Sequence, residues 1–296
     1  MILVTGGSGL VGSHLKEVMP DAIYLSSKDF DLNNMNEVDE MMNLYRPHTV
    51  IHLAARCGNL FDNMNYPLDY IESNVLMAVN VFKKCHEYNV EKVVTCLSSC
   101  IYPEQVNEYP MKEEILFKGP PPIGNFSYGI AKRCIATLID SYVTQYNKKW
   151  FYLIPCNLYG EHDKYGDHNS HFVAALIKKI YNSDKILDVW GTGKPFRQFI
   201  HAEDLAKVIK ILLEKDICDN FNVTTPYSFT IKKIAEIALR ATGKDLEIKF
   251  DETKPDGQFR KDTSPNKLLK EIDFEFMTLE KGIKRVYDNF SKRHDR

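Results

Sequence analysis

The chain has 296 residues, 38 Lys+Arg against 40 Asp+Glu for a formal net charge of -2, and is 44% hydrophobic and 26% charged. That is enough chain for one or two domains with a real core, and the composition excludes wholesale disorder, a fibre, and a protein that grips nucleic acid through bulk positive charge. No apolar run approaches the roughly 20 residues that span a bilayer; Met1–Thr5 carries no basic leader or signal-peptide pattern, so a cytoplasmic chain with no membrane attachment is expected.

Met1–Thr5 reads as a strand, followed by a glycine-rich turn and a helix from about Leu10. Asp21–Leu25 reads as a second strand, Asn36–Tyr45 as a helix stopping before Pro47, and Thr49–Leu53 as a short apolar strand. A long helix is expected from about Tyr66 to Tyr88, then the strand Lys92–Leu97, a helix over about Ser127–Tyr146 and the strand Trp150–Pro155. Apolar strands separated by helices of that length predict an α/β fold: a parallel sheet covered on both faces and joined by right-handed crossovers.

Past residue 158 the rhythm breaks. Asp163–Ser170 is polar, His171–Tyr181 helical, Leu187–Trp190 strand-like, Asp204–Glu214 and Ile231–Thr242 helical, and 251–266 reads as a loop. There is no repeat and no linker, so the second half is expected to form a smaller lobe fused to the first. The seven cysteines are odd in number and contain no CxxC pair, which argues against a disulfide scaffold or a zinc ribbon; no metal set is read from them. Most are expected to be reduced, buried and inert.

Thr5-Gly-Gly-Ser-Gly-Leu-Val-Gly12 follows the first strand and opens the first helix. Gly6, Gly9 and Gly12 let the chain turn sharply, approach a pyrophosphate and seat the helix on the strand, whose free N–H groups then face the phosphates. This context predicts a dinucleotide site in a Rossmann-like, doubly wound sheet. The end of the second strand reads Leu25-Ser-Ser-Lys28 with no acid before Asp29. Small hydroxyls and Lys28 favour the extra phosphate of NADP(H), although Asp29 remains available to a ribose. Asp31 and Leu32 are placed under the adenine, and Leu53, Ala54 and Ala55 along the adenine–pyrophosphate side.

Tyr128 and Lys132 lie one helical turn apart on one face. A lysine beside a tyrosine, with the positive nicotinamide of an oxidised cofactor, favours the phenolate and lowers its pKa, so the pair is suited to exchanging a proton with a carbonyl or alcohol during hydride transfer. Ser98, ending the fourth strand, is placed to polarise that carbonyl.

These features, together with Ser98-Ser-Cys-Ile-Tyr-Pro103, Pro155-Cys-Asn-Leu-Tyr-Gly160, Asn169-Ser-His171, Trp190–Asp204 and Lys254-Pro-Asp-Gly257, resemble the extended short-chain dehydrogenase/reductase family acting on nucleotide sugars, and within it the GDP-L-fucose synthases. The resemblance runs from residue 2 to about 290. It implies a Rossmann-like NADP-binding domain over 1–160 and a smaller α/β substrate-binding lobe over 161–296, with segments exchanging back. It also implies 3,5-epimerisation of GDP-4-keto-6-deoxy-D-mannose and NADPH-dependent 4-reduction to GDP-L-fucose. By similarity Cys100 is the base, His171 the acid and Tyr128 the proton donor at C4, supported by Lys132 and Ser98. Leu10, Val11, Lys132, Pro155, Asn157 and Leu158 carry over to the cofactor, and Lys179, Trp190, Arg197 and Asp256 to the GDP-sugar. Where the family usually has an arginine after Asn-Ser-His, this chain has Lys178-Lys179. A homodimer, pairing the helices near 66–88 and 127–146, is also implied. Rival readings are another nucleotide-sugar epimerase/reductase such as a GDP-L-colitose synthase, and a non-enzymatic nucleotide-sensing binding protein. The second tends to lose the Tyr/Lys pair, which is retained here. A dehydratase is disfavoured because Ser99-Cys100 stands where it needs a carboxylate pair.

Overall fold

The computed structural model describes residues 1–166 and 170–295. The first half runs β1 (Ile2–Thr5), α1 (Leu10–Val18), β2 (Ile23–Leu25), α2 (Met35–Tyr45), β3 (Thr49–His52), α3 (Leu60–Asn65), α4 (Pro67–Glu87), β4 (Lys92–Cys96), α5 (Phe126–Tyr146) and β5 (Lys149–Pro155). The second runs β6 (Asn157–Tyr159), α6 (Phe172–Asn182), β7 (Ile186–Trp190), β8 (Phe196–Arg197), β9 (Phe199–His201) and α7 (Ala202–Glu214). It continues through β10 (Phe221–Val223), β11 (Phe229–Thr230), α8 (Ile231–Thr242), β12 (Glu247–Asp251), α9 (Asn266–Glu271) and α10 (Leu279–His294).

Six strands form one sheet in the order β10-β5-β4-β3-β1-β2, every neighbouring pair parallel. Strands buried on both faces have no polar side to show, which is why β1, β3 and β4 read as continuous apolar runs. On one face Leu3, Val50 and Val93 meet Met41, Phe82, Ile135 and Ile139 of α2, α4 and α5. On the other, Val4, Ile51 and Val94 meet Leu15 of α1, Leu205 and Ile209 of α7, and Leu268 of α9. Fully burying one such side chain contributes roughly 1.5–3 kcal/mol. Between β1 and β3 the strand order reverses, opening a crevice at the carboxyl ends of the sheet where such folds bind ligands. The glycine turn, Lys28, Leu53–Ala55 and Ser98–Cys100 follow β1, β2, β3 and β4 at that edge, whereas Tyr128 and Lys132 come from α5.

The second-half segments α6, α8 and α10 close a separate core with β7 and β12 around Ile177, Leu187, Ile234 and Ile283. Thr230 and Thr278 cap α8 and α10 by accepting from the Lys233 and Lys281 amides, and Gly243 ends α8 at φ +69. Two local expectations differ. The second strand begins at Ile23, not Asp21. A short helix, α3, precedes the long one: the Asn59 side chain accepts from the Asp62 amide and opens α3, and Pro67 then begins α4 at a position where its missing N–H costs nothing.

Candidate active site

The turn between β1 and α1 forms a cradle that only glycine can line. Gly6 has φ +71°, and a Cβ there would lie 2.6 Å from the Ala54 amide nitrogen; at Gly12 it would lie 2.5 Å from the Gly6 carbonyl oxygen. Gly9 stands at the N-cap of α1 and offers no side-chain cap, so the amides of Leu10, Val11 and Gly12 begin the helix without one. This cradle fits a dinucleotide pyrophosphate. Leu53, Ala54 and Ala55 follow β3, the Leu53 amide donating to the Thr5 carbonyl at 3.1 Å. Leu32 is buried, its carbonyl held by the Asn80 amide at 2.9 Å, while the Asp31 carboxylate is exposed and accepts from Asn33. Asp29 accepts from the Ser26 amide at 2.7 Å and its hydroxyl at 2.8 Å, bonds that hold its carboxyl below the usual range. The acid is thus turned onto its own loop, whereas Lys28 is exposed. Beyond β5, Pro155 pairs in register with Val223, Asn157 donates to the Gln198 carbonyl at 2.8 Å, and Leu158 is half-buried against the α1–α7 core.

Tyr128 and Lys132 sit in the first turns of α5, and the buried Lys132 ammonium donates to the Cys96 carbonyl at 2.9 Å and lies 5.8 Å from the Tyr128 ring centre. The ammonium therefore lies under the ring, bonded to backbone, with no bond to the phenol. This corrects one expectation: Tyr128 is raised well above the ordinary tyrosine value, first by burial and then by the thiols of Cys57, Cys100 and Cys96. Reduction needs a phenol that still holds its proton, and these surroundings keep it. The Tyr128 hydroxyl lies 3.6 Å from the Cys57 sulfur, and the Tyr70 ring stands edge-on at 6.1 Å. Only Cys85 and Cys156 of the seven cysteines are buried; Cys96, Cys100, Cys134 and Cys218 are half-buried and Cys57 is exposed, against the expectation that most are buried.

Ser98 lies two residues past the end of β4, not at it, and caps a short turn, its hydroxyl oxygen accepting from the Cys100 amide at 3.2 Å. The Cys100 sulfur accepts from the Lys261 ammonium at 3.3 Å. Burial alone pushes this thiol up, but Lys261, the Ser98 hydroxyl and the Arg197 guanidinium outweigh it and bring the net value below that of an ordinary cysteine. The backbone of Cys100 also approaches α5, its carbonyl lying 2.9 Å from where a Gly129 Cβ would be. Ser98, Cys100, Tyr128 and Lys132 are thus gathered at one sheet edge, and Lys261, from the loop before α9, completes the group.

His171 stands at the N-terminus of α6, its Nδ1 3.0 Å from the buried Asp163 carboxylate, and this bond raises its pKa despite burial. The other Asp163 oxygen is buried with no hydrogen bond among the described residues. Asn169, the first residue of the Asn-Ser-His segment, lies outside the described residues.

The residues assigned to the GDP end divide. Lys179 and Lys254 flank the exposed Trp190 ring at 5.5 and 5.6 Å, and Lys179 lines a cavity of about 370 Å³ with Trp190, Asp188 and Asp251. Asp256 instead anchors the turn after β7, accepting from the Thr192 amide and hydroxyl at 2.7 Å each. The Arg197 guanidinium donates to the Phe196 carbonyl at 2.7 Å and carries its charge toward Cys100. Sequence reasoning missed Lys261, Asp163 and Cys57. Only Asp163, eight residues before His171, lay close enough to its partner to be suspected.

Residues 2–224 match the family described as NAD dependent epimerase/dehydratase family. The chain is 36% identical to GDP-L-fucose synthase of Dictyostelium discoideum, covering 96% of this chain and 92% of that one. It is 33% identical to a probable GDP-L-fucose synthase of Drosophila melanogaster, covering 99% and 98%. Among solved structures, a GDP-L-fucose synthetase from Naegleria fowleri bound to NADP superimposes with a TM-score of 0.90 at 31% identity, covering 99% of this chain and 93% of that chain. The chain belongs to the NAD dependent epimerase/dehydratase family, in its GDP-L-fucose synthase branch.

Proposed function

We propose that this chain is an NADPH-dependent 3,5-epimerase/4-reductase that converts GDP-4-keto-6-deoxy-D-mannose to GDP-L-fucose. The observation that carries the reading is the Cys100 thiol, held below its ordinary pKa by Lys261 in the same group as Tyr128 and Lys132. A plain reductase needs the tyrosine; only a reaction that also removes a carbon-bound proton needs the thiolate.

The 4-keto group acidifies C3 and C5, the two carbons that flank it. At C3 and then at C5, Cys100 takes the proton from one face and His171 gives one to the opposite face; between the two events the thiol loses its proton to solvent and the imidazole regains one from it. Tyr128 gives its proton to the C4 oxygen, Ser98 hydrogen-bonds that oxygen, and Lys132 fixes the tyrosine from beneath. NADPH, when bound, supplies the hydride; the cradle of Gly6–Gly12, Lys28 and the Leu53–Ala55 edge hold it. Trp190, Lys179 and Arg197 hold the GDP portion, the guanidinium gripping the diphosphate and Asp256 fixing the turn beneath it. Residues 1–160 serve the cofactor and 161–296 the sugar nucleotide, with β10 and α7 returning to the main sheet. Incubation with GDP-4-keto-6-deoxy-D-mannose and NADPH or NADH, with identification of the product, tests the reading. GDP-L-fucose formed faster with NADPH supports it; cofactor and sugar bound without turnover refutes it.

Two further outcomes follow. Lys261→Met removes the cation that lowers the thiol, so the rising limb of the pH–rate profile for exchange at C3 and C5 moves alkaline. Each unit of that shift costs about tenfold at neutral pH. Asp163→Asn removes the anion that raises His171, so the imidazolium is lost at lower pH and the falling limb moves acidic. A Lys261→Met profile superimposable on wild type removes Lys261 from the mechanism, and an unmoved falling limb does the same for Asp163.

We also propose a cytoplasmic homodimer. Seven free cysteines suit a reducing compartment, and among the described residues no helix is long and apolar enough to cross a membrane. The long helices α4 and α5 lie side by side, and α4 leaves Leu68, Leu76 and Val79 exposed for a second copy.

A further inference from the structure

At helix α1, three side chains from distant parts of the chain meet. His14 lies two residues past Gly12, Glu161 follows β6, and His201 ends β9. His14 Nε2 is 3.2 Å and His201 Nε2 3.1 Å from the same oxygen, Glu161 Oε2, and the side chains are 0, 0 and 7% exposed. Both rings stand at ion-pair distance from the carboxylate oxygen, yet among the described residues none of the three atoms has a hydrogen bond of acceptable geometry. Three buried polar atoms with no bond are costly to keep.

The two His–Glu separations, with all three ligand atoms within 4.8 Å of one another, suit a different partner. Ligand atoms about 2.0–2.2 Å from one zinc-class ion, at tetrahedral to octahedral angles, stand roughly 3.0–3.5 Å from one another, with lone pairs converging on the ion and not on each other. The surroundings prepare each donor. His14 Nδ1 faces Glu17 Oε2 at 3.4 Å, so the tautomer with its proton on Nδ1 has a carboxylate to donate to and a bare Nε2 for an ion, the carboxylate–histidine support common around metals. Arg285 occupies Glu161 Oε1 and leaves Oε2 free. At His201 there is a cost: Nδ1 accepts from the Glu203 amide at 3.3 Å to cap α7, and metal at Nε2 moves the ring proton to Nδ1 and breaks that long contact. A cleft of about 570 Å³, lined by Glu17, Glu161, His162 and Arg285 among others, opens onto the glutamate and gives an ion its way in.

We propose that His14 Nε2, His201 Nε2 and Glu161 Oε2 form a binding site for a divalent transition-metal ion of the zinc class. Two neutral imidazoles and one carboxylate leave a fourth position for water. The site uses none of the catalytic residues; its ion would clamp α1, and with it the floor of the nucleotide cradle, to the start of α7 and the end of β6. It is independent of the reaction proposed above.

The test is titration of the purified, chelator-stripped full chain with zinc, followed by competition with a chromophoric chelator. Cobalt(II) substitution reads the geometry by its visible bands. One zinc per chain, a raised melting temperature, and affinity lost in His14→Gln but kept in His162→Ala support the site. The loss in His14→Gln should exceed the roughly 10–100-fold cost of a supporting-residue change. If His14→Gln fails to fold, Glu161→Gln takes its place. Wild-type protein that binds no zinc overturns the proposal. So does binding lost equally in His162→Ala, which would place the ion among His14, Glu17 and His162 at the surface.

Discussion

Tyr128→Phe is expected to lower 4-keto reduction by about 10²–10⁴-fold, the range of a lost general acid, while leaving exchange of solvent deuterium into C3 and C5 close to wild type. The phenol is the group whose surroundings keep its proton in place: burial and three nearby thiols raise its pKa, and Lys132 is spent on the Cys96 carbonyl. Phenylalanine keeps the ring and its edge contact with Tyr70, so the cleft is preserved and only the proton is removed. Stopped-flow NADPH oxidation measures the first effect and proton NMR in D₂O the second. Equal loss of both would mean that the ring, and not its hydroxyl, is what matters; normal turnover would end the proton-donor assignment.

Cys100→Ser is expected to do the reverse. Exchange at C3 and C5 falls by about 10²–10⁴-fold, because a serine hydroxyl beside Lys261 does not ionise near neutral pH as a thiol does. The substitution is nearly isosteric and the Cys100 amide still reaches the Ser98 hydroxyl, so the turn is expected to hold. NADPH binding, followed by fluorescence, is expected to be unchanged, since the cradle lies on the β1–α1 turn. Wild-type exchange in the serine variant would remove Cys100 as the base. Alkylation by iodoacetamide complicates the reading in wild type, because the exposed Cys57 stands 3.6 Å from the Tyr128 hydroxyl; the Cys57→Ala background separates the two thiols.

What could be read from the chain depended on how far apart the partners lie along it. The glycine cradle and the Tyr128/Lys132 pair are local, and their spacing alone carries their geometry. The parallel sheet was legible because buried strands write continuous apolar runs. Lys261 was not legible: it is 161 residues from Cys100 and sits in a polar loop whose composition resembles any exposed segment. Strand β10 is only three residues long, too short for periodicity to show, yet it forms the edge of the main sheet beside β5. The tyrosine pKa was misjudged for a related reason. Spacing put Lys132 on the right face, but only the fold shows that its ammonium is committed to a backbone carbonyl. Asp256 likewise lay in the right motif, while its carboxylate proved to be tied to Thr192.

The most direct test of the central claim is the turnover of GDP-4-keto-6-deoxy-D-mannose with NADPH in D₂O, with the product sugar identified by NMR. The structure with Cys100, His171 and Tyr128 in their proposed roles predicts GDP-L-fucose carrying solvent deuterium at both C3 and C5 and a cofactor-derived hydrogen at C4. A reduced product with no deuterium at either carbon would contradict it, because the chain would then be a reductase that makes no use of its activated thiol.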